Sequence, residues 1–262
     1  MIRVKLEPIE KAALLNLIAA LFGGILLIYT GWPSGGTNIS IYLAASMIFN
    51  NGYFIGLMYA FRAGDMAQVY PAVRGAAVFL TTLVSTIFLH EQLNLFGWVG
   101  IVAVGTGVCL LSFSPNAAAP LNWRALGFAL LTSAFLSAGL LVDGHGARAS
   151  GNVYAYAGAA FLLTGVGTLA IVVIYSRSAV IFRMLNEWKR GVAGGFLSFL
   201  VSGIGVWAMT VASIPEVVAL RDTSVLFGAA IAYFFLKETL GAVRLMAAVL
   251  IVCGVVVMRL GA

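Results

Sequence analysis

The chain has 262 residues, of which 62% are apolar and only 9% are charged, and its mean hydropathy is +1.04. Soluble domains carry about 25% charged residues, so this composition excludes a soluble globular protein and predicts an integral membrane protein. The formal net charge of +6 is scattered between and inside apolar runs, which excludes the basic surface of a nucleic-acid-binding protein.

The apolar runs predict an all-α membrane protein. They are about 18 to 25 residues long, the length of a transmembrane helix, whereas barrel strands would be short and alternating. Nine spans are predicted, at residues 12–31, 40–60, 66–89, 95–113, 123–142, 152–175, 191–212, 216–236 and 240–259. The connections between them are short and leave no room for a soluble domain.

Two stretches of the chain match at an offset of 147 residues. Residues 65–91 and 212–238 each contain an arginine that precedes a terminal glutamate by 17 residues, with a glycine 16 residues further on. These matched residues are Arg74 and Arg221, Glu91 and Glu238, and Gly107 and Gly254. Matched charged residues at fixed spacing are rare in so apolar a chain, and they predict an internal repeat.

The repeat is expected to be inverted, because the third and eighth spans are an odd number of spans apart. Inverted five-helix repeats are common in secondary transporters. The first repeat is assigned to residues 1–114, with four visible helices, and the second to residues 122–262, with five; residues 115–121 form the linker. The fifth span has no partner, since its counterpart would precede Met1, so a first helix is missing from the repeat.

Lysine and arginine in the loops set the expected orientation. Most of them fall on one side, which is therefore predicted to be cytoplasmic, and only Arg148 and Arg259 fall on the other. This places Met1 inside and the C-terminal end outside. The expected location is the cell membrane, as a multi-pass protein.

Arg74 and Arg221 are the strongest candidates for a functional site. An arginine at the bilayer centre costs roughly 2.5–3.5 kcal/mol on the insertion scale, so it needs a partner or a role. One interpretation is structural, with each arginine tying helices together. The other is a central cavity in which both arginines bind an anionic or carboxylate-bearing substrate, and the paired placement favours it.

Four further residues are candidate neighbours of a bound substrate. Tyr70 lies one helical turn before Arg74. Asp222 adjoins Arg221 in sequence but points elsewhere on the helix, so it is predicted to pair across helices, with Arg74 as a candidate. Asn50 and Trp207 lie within the equivalent second and seventh spans, where plain packing is the alternative for both.

Other charged residues have simpler interpretations. Glu91 and Glu238 are expected to be structural anchors that cap the next helix and hold each helix hairpin. Glu216 follows Pro215 and is expected to cap a helix start. Asp143 and His145, in the sequence DGHG, are expected to end the fifth span, with the histidine in a loop.

The quoted residues also carry a family resemblance. The sequence YAFRAGDMAQVYPAVRGAAVFLTTLVSTIFLHE, continued to Leu111, and the sequence VASIPEVVALRDTSVLFGAAIAYFFLKE, continued to Val257, resemble EamA-type members of the drug/metabolite transporter superfamily. The resemblance implies ten helices in two inverted halves and movement of small metabolites without ATP hydrolysis. It also implies a cytoplasmic C-terminus, which the loop charges do not favour.

The expected function is therefore secondary transport of a small metabolite, anionic or zwitterionic, by export or exchange through alternating access. The alternative is a non-transporting membrane interaction subunit, or an incomplete transporter that needs a partner chain. An enzyme is disfavoured, because no nucleophile, metal-binding or nucleotide-binding motif is present. No cofactor and no metal are expected; the partners are a small-molecule substrate and the lipid bilayer, and a homodimer through the glycine-rich spans is a further option.

Overall fold

The structure, a computed structural model, describes residues 8–113, 123–175, 184, 187–224, 227 and 241–260. All secondary structure in these residues is helical, which confirms the predicted all-α class. The helices are α1 (Pro8–Thr30), α2 (Gly36–Ala63), α3 (Met66–Phe88), α4 (Leu95–Leu110), α5 (Trp123–Ala149), α6 (Val153–Tyr175), α7 (Trp188–Val211), α8 (Ile214–Asp222) and α9 (Ala242–Leu260). A short 3₁₀ turn, Leu111–Phe113, extends α4.

Eight of the described helices are long and apolar enough to cross a bilayer, namely all except α8. The predicted eighth span, residues 216–236, begins in α8, and its later part lies outside the described residues. Glu238 and the linker 115–121 lie outside them as well. The multi-pass membrane character predicted from composition is thus confirmed.

The helix starts follow the offset of 147 residues. Shifting the starts of α1, α2, α3 and α4 by 147 places them within five residues of the starts of α6, α7, α8 and α9. Only α5 has no described counterpart. The helix boundaries therefore support the repeat that was inferred from the matched charged residues.

The chain forms two compact units. The first contains Met1–Asn51 and Val142–Val211, and the second contains Gly52–Leu141 and Ala212–Ala262. Both boundaries fall inside helices, α2 and α5, and each unit takes helices from both halves of the sequence. The units are thus a grouping by contact, and the division of the sequence at the linker stays a prediction.

The first unit is built on close contact between α1 and α6. A Cβ placed on Gly23 would lie 2.9 Å from the Gly158 carbonyl oxygen, and one on Gly158 would lie 2.9 Å from the Gly23 carbonyl oxygen. Only glycine allows the two backbones to approach this closely, as is common between membrane helices. The buried Tyr156, Ile39 and Leu43 continue this core.

The second unit contains an equivalent contact between α4 and α9. A Cβ on Gly100 would lie 2.6 Å from the Gly254 carbonyl oxygen, and one on Gly107 would lie 2.9 Å from the Ala247 carbonyl oxygen. The offset of 147 converts Gly100 into Ala247 and Gly107 into Gly254. The contact therefore repeats itself when the two helices are exchanged, as expected for a pseudo-two-fold axis.

One predicted boundary is wrong. The fifth span was expected to end near residue 142, but α5 continues to Ala149. Asp143 and His145 therefore lie in a helix and not in a loop. The glycines beside them, Gly144 and Gly146, suggested a turn, but Tyr156 packs so close to Gly146 that a larger side chain would not fit there. Helix packing explains this glycine better than turn formation does.

Candidate functional site

Arg74 is held on α3 by a tyrosine one turn earlier. The helix starts where the Asp65 carbonyl accepts hydrogen bonds from the backbone of residues 68 and 69. Pro71 lies inside the helix, and a proline there removes one backbone hydrogen bond. Arg74 Nε donates to the Tyr70 hydroxyl over 3.3 Å, and the guanidinium lies 5.6 Å from the centre of the Tyr70 ring. The predicted proximity of Tyr70 and Arg74 is thus observed.

Arg74 forms an ion pair with Asp222 at the end of α8. Arg74 Nη1 lies 3.2 Å from Asp222 Oδ1, and the two side chains are 13% and 2% exposed. The sequence suggested this cross-helix pair because adjacent residues on α8 cannot face each other. Both charges are buried in a chain that spans a membrane, so their mutual compensation is needed for folding.

Arg221 and Tyr53 complete the group, which we call the arginine cluster: Tyr53, Tyr70, Arg74, Arg221 and Asp222. Arg221 and Arg74 both act electrostatically on Asp222, and all four other members act on Tyr53. The cluster has two guanidinium groups and one carboxylate, so its own formal charge is +1. Its members all belong to the second unit.

The cluster also contains an unused acceptor. Asp222 Oδ2 is buried and accepts no hydrogen bond from the described residues. Buried polar atoms are nearly always hydrogen-bonded, and an exception calls for an explanation. A donor group of a bound molecule would provide one.

The start of α8 positions Arg221 and Asp222. Ser213 precedes the helix without a side-chain capping bond, Pro215 occupies the first turn, and Glu216 lies in the same turn. Proline and an acidic residue both suit a helix N-terminus. Glu216 therefore has the capping position expected from the sequence.

The structure places the other two candidates, Asn50 and Trp207, in the first unit. Asn50 Nδ2 donates to the Ser46 carbonyl over 3.0 Å and to Asp143 Oδ2 over 3.2 Å. Trp207 is 45% exposed and lines an apolar groove. Neither makes a contact with the arginine cluster that the structure describes, and their roles as substrate neighbours stay predictions.

Sequence reasoning missed the polar group around Asp143. Besides its bond with Asn50, Asp143 Oδ1 accepts from the Tyr156 hydroxyl over 3.2 Å. Tyr156 is fully buried. The signal was available, because a carboxylate within reach of an apolar span normally faces the protein interior. The adjacent glycines concealed it by suggesting a turn.

Glu91 is an anchor, but its partner was not the expected one. We expected it to cap the next helix, α4, but Asn94 does so by accepting from the Gly97 backbone over 2.7 Å. Glu91 Oε2 accepts from Ser85 Oγ and from the Ile214 backbone, both over 2.9 Å. It follows His90, whose φ of 54° reverses the chain after α3. Glu91 thus joins the end of α3 to the start of α8.

Replacing Glu91 by glutamine is expected to lower the free energy of unfolding by about 1–2 kcal/mol, because the charge-assisted bonds to Ser85 and Ile214 become neutral or are lost. Thermal denaturation in detergent would measure this as a lower melting temperature. Ser85→Ala removes only one donor and serves as the matched control with a smaller decrease. An unchanged melting temperature in the Glu91 variant would contradict the anchoring role.

These features define a multi-pass helical membrane protein with a buried charged cluster. Residues 1–113 match the model of the EamA-like transporter family. The resemblance stated from the sequence motifs is therefore confirmed over the first part of the chain.

Two further comparisons agree with this assignment. An uncharacterised transporter in the cobO 3' region of Sinorhizobium sp. is 28% identical over 72 residues, which are 28% of this chain and 50% of that protein. The match thus spans half the length of that relative. One crystal structure, described only as that of a protein, superposes with a TM-score of 0.72 at 15% identity and covers 99% of this chain and 90% of that one. At this identity the superposition establishes the fold alone.

Proposed function

We propose that the protein is a secondary transporter of small metabolites that carry a carboxylate or another anionic group. The observation that carries this proposal is the arginine cluster, in which two arginines and one aspartate are buried within membrane-spanning helices. A buried charged group is costly in a bilayer and marks a substrate or ion pathway by default. The match to a transporter family supports the same class of function.

The charges of the cluster favour an anionic or zwitterionic substrate. Two guanidinium groups outnumber one carboxylate, so an incoming anion would reduce the net charge of the cluster. Arginine binds carboxylates through paired hydrogen bonds, which gives directional as well as electrostatic selectivity. The unused acceptor Asp222 Oδ2 would suit an ammonium or hydroxyl group on the same molecule.

Competition for Arg74 provides a mechanism for coupling binding to movement. In the structure Asp222 occupies one side of the Arg74 guanidinium at 3.2 Å. A substrate carboxylate that contacts Arg74 would weaken this ion pair, which joins α3 to α8. Binding would then favour a different arrangement of these two helices, as alternating access requires.

Transport is favoured over catalysis because the described residues offer no reactive constellation. Among them, no group of three or more His, Cys, Asp or Glu side chains could hold a metal ion. The cluster's groups can bind and orient a charged molecule, and its tyrosines can donate hydrogen bonds. Export or exchange driven by the substrate or proton gradient is the expected mode.

The decisive experiment measures uptake and export of a panel of amino acids and organic anions in proteoliposomes. Arg221→Gln is expected to reduce transport of the active compound by at least about tenfold, the loss of one charge-assisted contact of roughly 1.5–3 kcal/mol. Arg62→Gln, at the exposed end of α2, is the matched control and should transport normally. Full transport by Arg221→Gln would remove this residue from the site.

A second candidate function is supported by one observation. An apolar groove along α7 is open in this chain, which agrees with an incomplete transporter that needs another helix. In that case the purified chain would bind substrates but not transport them. Binding without transport, detected as a raised melting temperature with the same panel, would favour this second candidate.

A further inference from the structure

An apolar groove of about 300 Å³ runs beside α7 in the first unit. On α7 it is lined by Phe199, Gly203 and Trp207, which are four residues apart, while α1 and α6 contribute Leu26 and Tyr154. Residues at this spacing share one face of a helix. One whole face of α7 therefore opens into the groove.

The equivalent face of α2 is covered. The offset of 147 relates the three groove residues of α7 to Gly52, Gly56 and Ala60. A Cβ on Gly56 would lie 2.5 Å from Thr132 Oγ1 of α5, and one on Gly52 would lie 2.5 Å from the ring of Phe135. Ala60 has no exposed surface at all. In the second unit, therefore, α5 packs directly against this face.

The α7 face lacks such a cover among the described residues. A Cβ on Gly203 would meet no atom within 4 Å. Trp207 is 45% exposed, whereas its counterpart Ala60 is 0% exposed. The contrast between equivalent positions matches the repeat, because α5 is the helix for which the chain contains no counterpart.

We propose that the groove along α7 is the docking site of one further apolar transmembrane helix with the chemistry of α5. Helices in membranes associate through close packing at small residues, and Gly203 supplies the notch. The partner helix would present a small or hydroxyl side chain there, as Thr132 does to Gly56. On this proposal Trp207 contacts a helix and not a substrate.

The side chains of the groove also define the shape of the partner. Where α2 has Gly52 and Ala60, α7 has Phe199 and Trp207. The bulk that α5 supplies with Phe135 is thus already present on α7. The partner should therefore be smaller than α5 at the position of Phe135.

The connection to α1 suggests how to build a probe. Three residues, 150–152, join α5 to α6, and the counterpart of α6 is α1. A copy of residues 123–152 with Phe135→Ala, joined directly to residue 6, would carry an α5-like helix ahead of α1. Both native cysteines, Cys109 and Cys253, are replaced by alanine.

Disulfide formation within this extended chain tests the docking. Gly203→Cys is combined with Thr132→Cys in the copied helix, because a Cβ on Gly56 would lie 3.2 Å from the Thr132 Cβ, close to disulfide range. Oxidation should give an intramolecular disulfide. The matched control places the cysteine at Leu130 of the copy, whose counterpart in α5 is exposed, and should not crosslink.

A second measurement does not depend on cysteine chemistry. The copied helix should raise the melting temperature of the chain, and Gly203→Trp should remove this increase by filling the notch. In the original chain Gly203→Trp should leave the melting temperature unchanged, since open space surrounds the position. None of these readouts requires transport, so a failure here is distinct from a failure of the proposed function.

Three results would overturn the proposal. Equal crosslinking at the Thr132 and Leu130 positions would indicate unspecific collision. Disulfide-linked dimers of the original chain carrying only Gly203→Cys would assign the groove to a second copy of this chain. No crosslink together with no rise in melting temperature would leave the groove to lipid.

Discussion

Arg74→Gln is expected to abolish measurable transport and to lower the free energy of unfolding by about 3–5 kcal/mol. The large effect on stability comes from Asp222, which is 2% exposed and would lose the partner that lies 3.2 Å away. The loss of transport comes from removing a guanidinium that a substrate anion would contact. Unfolding in mixed micelles and uptake into proteoliposomes measure the two effects separately.

The double variant Arg74→Gln/Asp222→Asn separates binding from folding. Replacing both charges by neutral amides removes the uncompensated carboxylate, and such replacement of a buried pair is often neutral or stabilising. Stability should therefore return toward that of the original protein, whereas transport should stay absent. If the double variant transports normally, the pair is structural and the proposed substrate site is wrong.

Much of the fold could be predicted because a bilayer constrains sequence strongly. Every backbone polar group in lipid must be satisfied within the helix, so long apolar runs identify spans directly. The same constraint made the Arg74–Asp222 pair predictable. A buried arginine needs a carboxylate, and Asp222 was the acidic residue next to the matched arginine in the other half.

Contacts over long sequence distances could not be predicted in the same way. Glu91 bonds to the backbone of Ile214, 123 residues away. Its sequence neighbourhood indicates only that a carboxylate follows a helix end, which fits a local cap equally well. The choice between the two depends on which helix start lies nearby, and that is a property of packing alone.

Glycine was the other source of error. The pattern DGHG suggested the end of α5, yet Gly146 lies against the ring of Tyr156 inside a continuous helix. In a soluble protein such glycines would favour a turn. Between membrane helices the same residue permits close approach, so its meaning depends on the surrounding solvent.

Gly254→Leu is expected to cost about 1–3 kcal/mol of folding free energy or more, because the site has no room for a side chain. A Cβ at this position would lie 2.7 Å from the Gly100 carbonyl oxygen and 2.9 Å from a Val104 methyl carbon, and backbone cannot move aside as a flexible side chain can. The contact between α4 and α9 is the principal one of α9. We therefore expect a lower melting temperature and a loss of transport through misplacement of α9.

Gly127→Leu is the matched control for this prediction. Gly127 lies on α5, is exposed, and a Cβ there would meet no atom within 4 Å. Leucine favours helix more than glycine by roughly 0.5–1 kcal/mol, so this variant should be as stable as the original protein or slightly more so. Because the pseudo-two-fold relation converts Gly254 into Gly107, Gly107→Leu should destabilise the protein to a similar extent. Tolerance of leucine at Gly107 alongside a large loss at Gly254 would show that the two halves do not share this contact energetically, and the repeat would then be a resemblance of sequence without equivalence in packing.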